Sequence, residues 1–170
     1  FRSPLNIYMI RDLANWSTKW EKESSRDGCI RIYSKKYKKN FPFFVKDQLL
    51  EYFKANKYER AILMLELLIK NETKLRKLKV KYNSNVVNIP FENLILNPNF
   101  YIEKLSKKLF VKRDKLTSKT LKKNNVPRKF NFNKHDNDGL KFLKNKINNK
   151  YLNRLKKLNY FYHKNIIKKY

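Results

Sequence analysis

Cysteine, histidine, glycine and acidic residues are all scarce in this sequence of 170 residues, and each scarcity closes off a class of function. The single cysteine, Cys29, excludes a disulfide framework and any all-cysteine zinc site. Two histidines, His135 and His163, leave little material for a metal centre, so no metal is expected. With 2 glycines, Gly28 and Gly139, and 5 prolines, collagen-like and Gly/Pro-rich low-complexity chains are excluded. No apolar run approaches the roughly 20 residues that a membrane span needs, so no transmembrane segment is expected. Acidic residues number 14 against 42 Lys and Arg, which leaves a formal net charge of +28.

What is present is enough for a core. Apolar residues make up 41% and aromatics 15%, which argues for one folded domain over residues 1–170 rather than disorder. Lysine and asparagine together supply about a third of the chain, a bias that A/T-rich codons produce without selection. Whatever its origin, a surface this basic attracts phosphates non-specifically. The chain begins at Phe1 with no charged-then-apolar leader, and reads as a piece of a longer protein, with a cytoplasmic setting favoured.

Along the chain, Leu5 to Ile10 is a short apolar run stopped by Arg11-Asp12, the pattern of a buried parallel strand. A helix is expected from Ala14 to Lys22, and a loop from Glu23 to Asn40. Val45 to Ala55 and Lys57 to Leu78 read as helices, the second with a wide apolar face buried on more than one side. Asn85 to Ile89 reads as a second strand, stopped by Pro90. Asn97 then fits a helix N-cap and Pro98 the first helical position, with Phe100, Ile102, Leu105 and Leu109 on one face. Lys112 to Asn125 is strongly basic, Asn131 to Asp138 reads as a loop, and Gly139 to Lys169 as a final helical region. Strands alternating with helices point to an α/β fold.

Arg11 at the end of a strand, ahead of a helix start bearing Ser17, Thr18 and Lys19, is the arrangement of a phosphate cradle. On the local pattern alone, an arginine capping a sheet edge is the simpler reading. The segment Arg11-Asp12-Leu13-Ala14-Asn15-Trp16-Ser17-Thr18-Lys19 nevertheless resembles the 3′-phosphate motif of sulfotransferases that use 3′-phosphoadenosine 5′-phosphosulfate (PAPS). There a strand ends in Arg-Asp-Pro and a serine follows in the next helix. Arg11, Asp12, Asn15 and Trp16 match; Leu13 replaces the proline and Lys19 the serine. Phe91-Glu92-Asn93-Leu94, followed by Asn97-Pro98, is similar to the family's Tyr-Glu-Asp-Leu and Asp-Pro elements. Arg128-Lys129 echoes its Arg-Lys-Gly loop, with Phe130 in place of glycine.

The resemblance covers Leu5 to about Lys129. It implies a P-loop-type parallel sheet flanked by helices and truncated at its N-terminus, so that the chain is the C-terminal part of a sulfotransferase-like α/β domain. It further implies sulfuryl transfer from PAPS to a hydroxyl or amine acceptor, which is left open among saccharides, small molecules, lipids and proteins. Arg11 would grip the 3′-phosphate with Ser17, Thr18 or Lys19 assisting, and Arg128 and Lys129 would close over it. The family's phosphosulfate loop and catalytic base are absent from this sequence, so the fragment alone is expected to be inactive. The alternative is a basic RNA-binding or organellar ribosomal-type protein, which charge and interleaved aromatics favour. The aromatic, lysine-rich stretch from Tyr151 to Tyr162 is expected to dock on the core with its lysines solvated. Cys29, His135 and His163 read as ordinary polar positions.

Overall fold

A computed structural model describes residues 3–22, 30–82, 89–129 and 131–167. The chain order is α1 (Ile7–Lys22), β1 (Arg31–Ser34), β2 (Lys39–Pro42), a 3-10 turn (Phe43–Gln48), α2 (Leu49–Lys54), α3 (Lys57–Tyr82), α4 (Phe91–Leu96) and α5 (Pro98–Leu109). It continues with α6 (Lys115–Lys123), α7 (Phe132–Leu143), α8 (Asn149–Tyr162) and a short π-helical turn (His163–Ile167). The architecture is mainly helical. Among the described residues the sheet is a two-stranded antiparallel hairpin, with Arg31 opposite Pro42 and Ser34 opposite Lys39. The expected parallel sheet flanked by helices is therefore contradicted.

The correction begins at Leu5 to Ile10, where α1 replaces the anticipated strand. The buried positions are Ile10, Leu13, Ala14, Ser17 and Trp20, a spacing of three and four that only a helix places on one face. Asn6 starts the helix, because its Oδ1 accepts the N–H of Met9 at 3.0 Å. The loop expected between Glu23 and Asn40 contains β1 and most of the hairpin, whose turn includes Lys38 at φ 51°. The strand expected over Asn85 to Ile89 lies outside the described residues except for Ile89, which is irregular. The loop expected over Asn131 to Asp138 is the first half of α7, which Asn131 caps by accepting the N–H of Lys134 at 3.0 Å.

Other expectations hold. α3 covers the helix anticipated from Lys57, and Ala61 through Leu65 are buried in unbroken succession, so this helix is enclosed on several sides. α1, α3, α8 and the hairpin surround the core, to which Leu143, Tyr151 and Leu155 contribute. Asn97 and Pro98 do open α5. Its buried residues are Pro98 and Tyr101, however, while Phe100 and Leu109 face solvent.

Carboxylates of the helical body are committed to ion pairs. Glu21 pairs with Arg60, and Arg154 bridges Glu66 and Glu51, the latter at 2.7 Å, so that α2, α3 and α8 are clasped together. Burial pushes the Glu51 carboxyl up, but hydrogen bonds from Lys150 and Arg154 outweigh it and hold the group below its ordinary value. A carboxyl held low in the folded state stabilises the fold above its unfolded pKa and loses that contribution as pH falls through the folded value. Glu51→Gln is therefore expected to cost about 1 kcal/mol or less at pH 7. The difference from the parent should narrow as thermal melts are carried from pH 6 down through the folded value of this carboxyl. A gap that stays constant or widens as pH falls would contradict the assignment.

A second polar junction ties the N-terminal segment to α4, α7 and α8. Buried Glu92 accepts the Ser3 N–H at 2.5 Å and the Tyr162 hydroxyl, while the Ser3 hydroxyl donates to Asn159 Oδ1 at 3.0 Å. Asn159 in turn donates to Asp136, which also meets His163 Nε2 at 3.1 Å and the Ser3 hydroxyl at 3.4 Å. His135 meets the Asn6 amide at 3.2 Å. Both histidines thus sit at this junction, part-buried and hydrogen-bonded, rather than as ordinary polar positions on the surface. The network leaves Glu92 bonded from two elements, as a buried carboxylate requires.

Candidate nucleic-acid interface

The residues expected to cradle a phosphate do not converge. Arg11 lies within α1, exposed, with its guanidinium over the Phe142 ring at 4.7 Å. Thr18 and Lys19 are on the solvent side of the same helix, while Ser17 is buried and donates to the Ala14 carbonyl at 2.7 Å. Thr18 makes the same local bond at 3.1 Å. Only the first turn of a helix offers unpaired N–H groups to an anion. In α1 that turn precedes Arg11, so the arginine and the free donors are at different places. Arg128 spends its guanidinium on the carbonyls of Asn124 and Asn125, at 2.8 and 3.1 Å, and its own N–H reaches the Ile95 carbonyl at 3.0 Å. Lys129 is exposed.

The strongest concentration of charge lies elsewhere, in the arm formed by α5 and α6. Tyr101 anchors it, buried, with its hydroxyl accepting the Asn93 amide at 3.1 Å. From residue 102 to residue 129 no described side chain is buried. Residues 104–129 hold eleven Lys and Arg against one carboxylate, Asp114. Three acids of the body, Glu21, Glu51 and Glu66, are engaged with the body's own cations. The charge is therefore segregated rather than spread evenly, and its field adds along one protrusion.

Aromatic and apolar groups are interleaved with these cations. α5 ends at Phe110, whose backbone turns left-handed at φ 55°, and Val111 N–H closes the turn on the Ser106 carbonyl at 3.0 Å. The Phe110 side chain is 96% exposed, and Leu109, Val111 and Leu116 beside it also face solvent. Phe110 and Val111 border an open hollow of about 580 Å³ whose other walls include Ser106, Lys107, Lys112 and Arg113. The one carboxylate there, Glu103, is paired with Lys107 at 2.9 Å. α6 has no buried residue among those described, its N-cap Asp114 makes no side-chain capping bond, and Leu116 is left facing outward. Such a surface presents cations for phosphates and a ring for stacking on an unpaired base.

Sequence reasoning marked Lys112 to Asn125 as basic but missed Phe110, because the apolar face read for this helix, Phe100, Ile102, Leu105 and Leu109, stops one residue short of it. The charge count over residues 104–129 is the signal that would have found the site. The anticipated docking of the C-terminal aromatics does occur: Tyr151, Leu155 and Tyr162 are buried, and Tyr160 alone of the tyrosines in α8 is exposed. Cys29 lies outside the described residues. Among the described residues no group of three His, Cys, Asp or Glu side chains gathers as a metal site, and no helix is long and apolar enough to cross a membrane. The sequence matches no family model, and no curated protein and no solved structure matches it at a significant level.

Proposed function

We propose that the protein binds single-stranded RNA through the α5–α6 arm, with little dependence on base sequence. The observation that carries this reading is the segregation of charge: eleven cations against two acids, Glu103 and Asp114, over residues 102–129, where no described side chain is buried. Lysines along the arm contact phosphates, and Phe110 stacks on a base that a single strand leaves free. A duplex hides its base faces, so the aromatic contact favours single strands.

Phe110→Ala tests the stacking half of this reading. The side chain packs on nothing in the core, so melting temperature should stay unchanged while RNA affinity falls by about 1–3 kcal/mol. The salt dependence of binding should be the same in both proteins, because no phosphate contact is lost. Fluorescence anisotropy with a labelled single strand reads both quantities; an unchanged affinity would remove Phe110 from the interface.

Nucleotide binding of the sulfotransferase kind is a second reading, favoured by one contact. The Arg128 N–H on the Ile95 carbonyl brings two of the resembling segments side by side, although their fold is not that of the family. Saturable binding of 3′-phosphoadenosine 5′-phosphate that is lost in both Arg11→Ala and Arg128→Ala would select this reading over the first.

A further inference from the structure

α3 and α8 run side by side in the same direction. Glu59 accepts the Asn148 N–H at 3.1 Å near their beginnings, and Glu66 meets Arg154 further along. Beyond that ion pair the two helices leave a groove of about 450 Å³. Its floor is Ile69, Leu158 and Phe161, and its rim carries Lys70, Lys74 and Lys157. This groove is remote in sequence from the α5–α6 arm and takes no part in the reading above.

The rim chemistry is one-sided. Glu66, the only acid lining the groove among the described residues, is already bonded to Arg154 and to Lys70 at 3.1 Å. The Thr73 hydroxyl is turned back to the Ile69 carbonyl at 2.9 Å and adds no free donor. Among the described residues, Lys74 and Lys157 have no carboxylate within ion-pair distance. An apolar trough bordered by unneutralised ammonium groups selects a ligand with an apolar body and a negative head. We propose that this groove binds a long-chain carboxylate of fatty-acid type, its tail on Ile69, Leu158 and Phe161 and its head between Lys74 and Lys157. A groove of this volume is at the lower end of the range for small-molecule sites, which suits a single alkyl chain.

Dodecanoate below its micelle concentration is the probe, titrated into the full chain by calorimetry. Dodecanol is the neutral control. Lys74→Glu/Lys157→Glu alters the rim at two exposed positions, and Lys112→Glu/Lys119→Glu makes the same charge change on the arm. The expected result is saturable one-to-one binding, weakened about tenfold or more by the rim pair and by replacing the acid with the alcohol, and unchanged by the arm pair. Binding that fails to saturate, or that both pairs weaken equally, is adsorption to a basic surface and overturns the proposal. So does dodecanol binding as well as dodecanoate. Binding only to phosphatidylglycerol vesicles, or only to an acidic helical peptide, with none to the monomeric acid, overturns it as well.

Discussion

Replacing Lys112, Arg113, Lys119 and Lys122 together by glutamine is expected to lower single-stranded RNA affinity by roughly 600-fold at about 0.1 M salt. The estimate follows from counterion release. Each phosphate contact on a single strand adds about 0.7 to the slope of log affinity against log salt, so four contacts add about 2.8. From 1 M to 0.1 M is one decade, which turns that slope into about 2.8 orders of magnitude. The fold should survive the change. All four side chains are exposed, and the Arg113 guanidinium donates to the Ser118 hydroxyl at 3.1 Å, a bond itself on the surface. The same four changes made at Lys35, Lys36, Lys54 and Lys57, on the hairpin and body, remove equal charge from another place. If both variants lose affinity alike, the arm has no special role and binding belongs to net charge alone.

Gly139→Ala carries the largest predicted effect on stability. Glycine inside an exposed helix is normally a weakness, and alanine there gains about 1 kcal/mol. Here the sign is expected to reverse. An added Cβ at Gly139 would lie 2.3 Å from the Leu5 carbonyl oxygen and 3.2 Å from the Leu5 carbonyl carbon, both backbone atoms. Backbone cannot rotate aside as a side chain does, so α7 or the N-terminal segment has to move. Leu5 is buried in the core, and its neighbours Ser3 and Asn6 hold the polar junction to Glu92 and His135. Overpacking of this kind costs about 1–3 kcal/mol. For a chain of this length that is a fall in melting temperature of about 2–4 °C per kcal/mol. A higher melting temperature in Gly139→Ala would show that α7 does not approach Leu5 this closely.

The same glycine shows what was legible in the sequence and what was not. It marked the start of a helical region in a pattern reading, because the Asn- and Asp-rich residues before it look like a loop. Those residue types also cap helices, and Asn131 does so here, eight positions earlier. The α3 helix was readable because its apolar positions are dense enough to satisfy a helix whatever window is chosen. Leu5 to Ile10 was not, since a six-residue apolar run fits a strand and a helix equally. Only the continuation through Leu13, Ala14, Ser17 and Trp20 separates them. The hairpin escaped because β1 buries only Ser34 and shows Ile32 and Tyr33 to solvent, so it has no apolar alternation to read. The motifs resembling sulfotransferase elements are present as residues, but the helical setting of Arg11 removes the strand end on which their chemistry depends. The cationic arm was visible as composition. What its sequence did not reveal is that Phe110 stands out from it, which follows from a left-handed turn at a residue other than glycine.

The most direct test of the account is to locate the contact itself, by photo-crosslinking the intact protein to a thiouridine-containing single strand and mapping the modified residues. Crosslinks at Phe110 and along residues 104–123, suppressed as salt is raised, are the predicted result. Crosslinks confined to α1, α3 or the hairpin, with the arm unmodified, would contradict it.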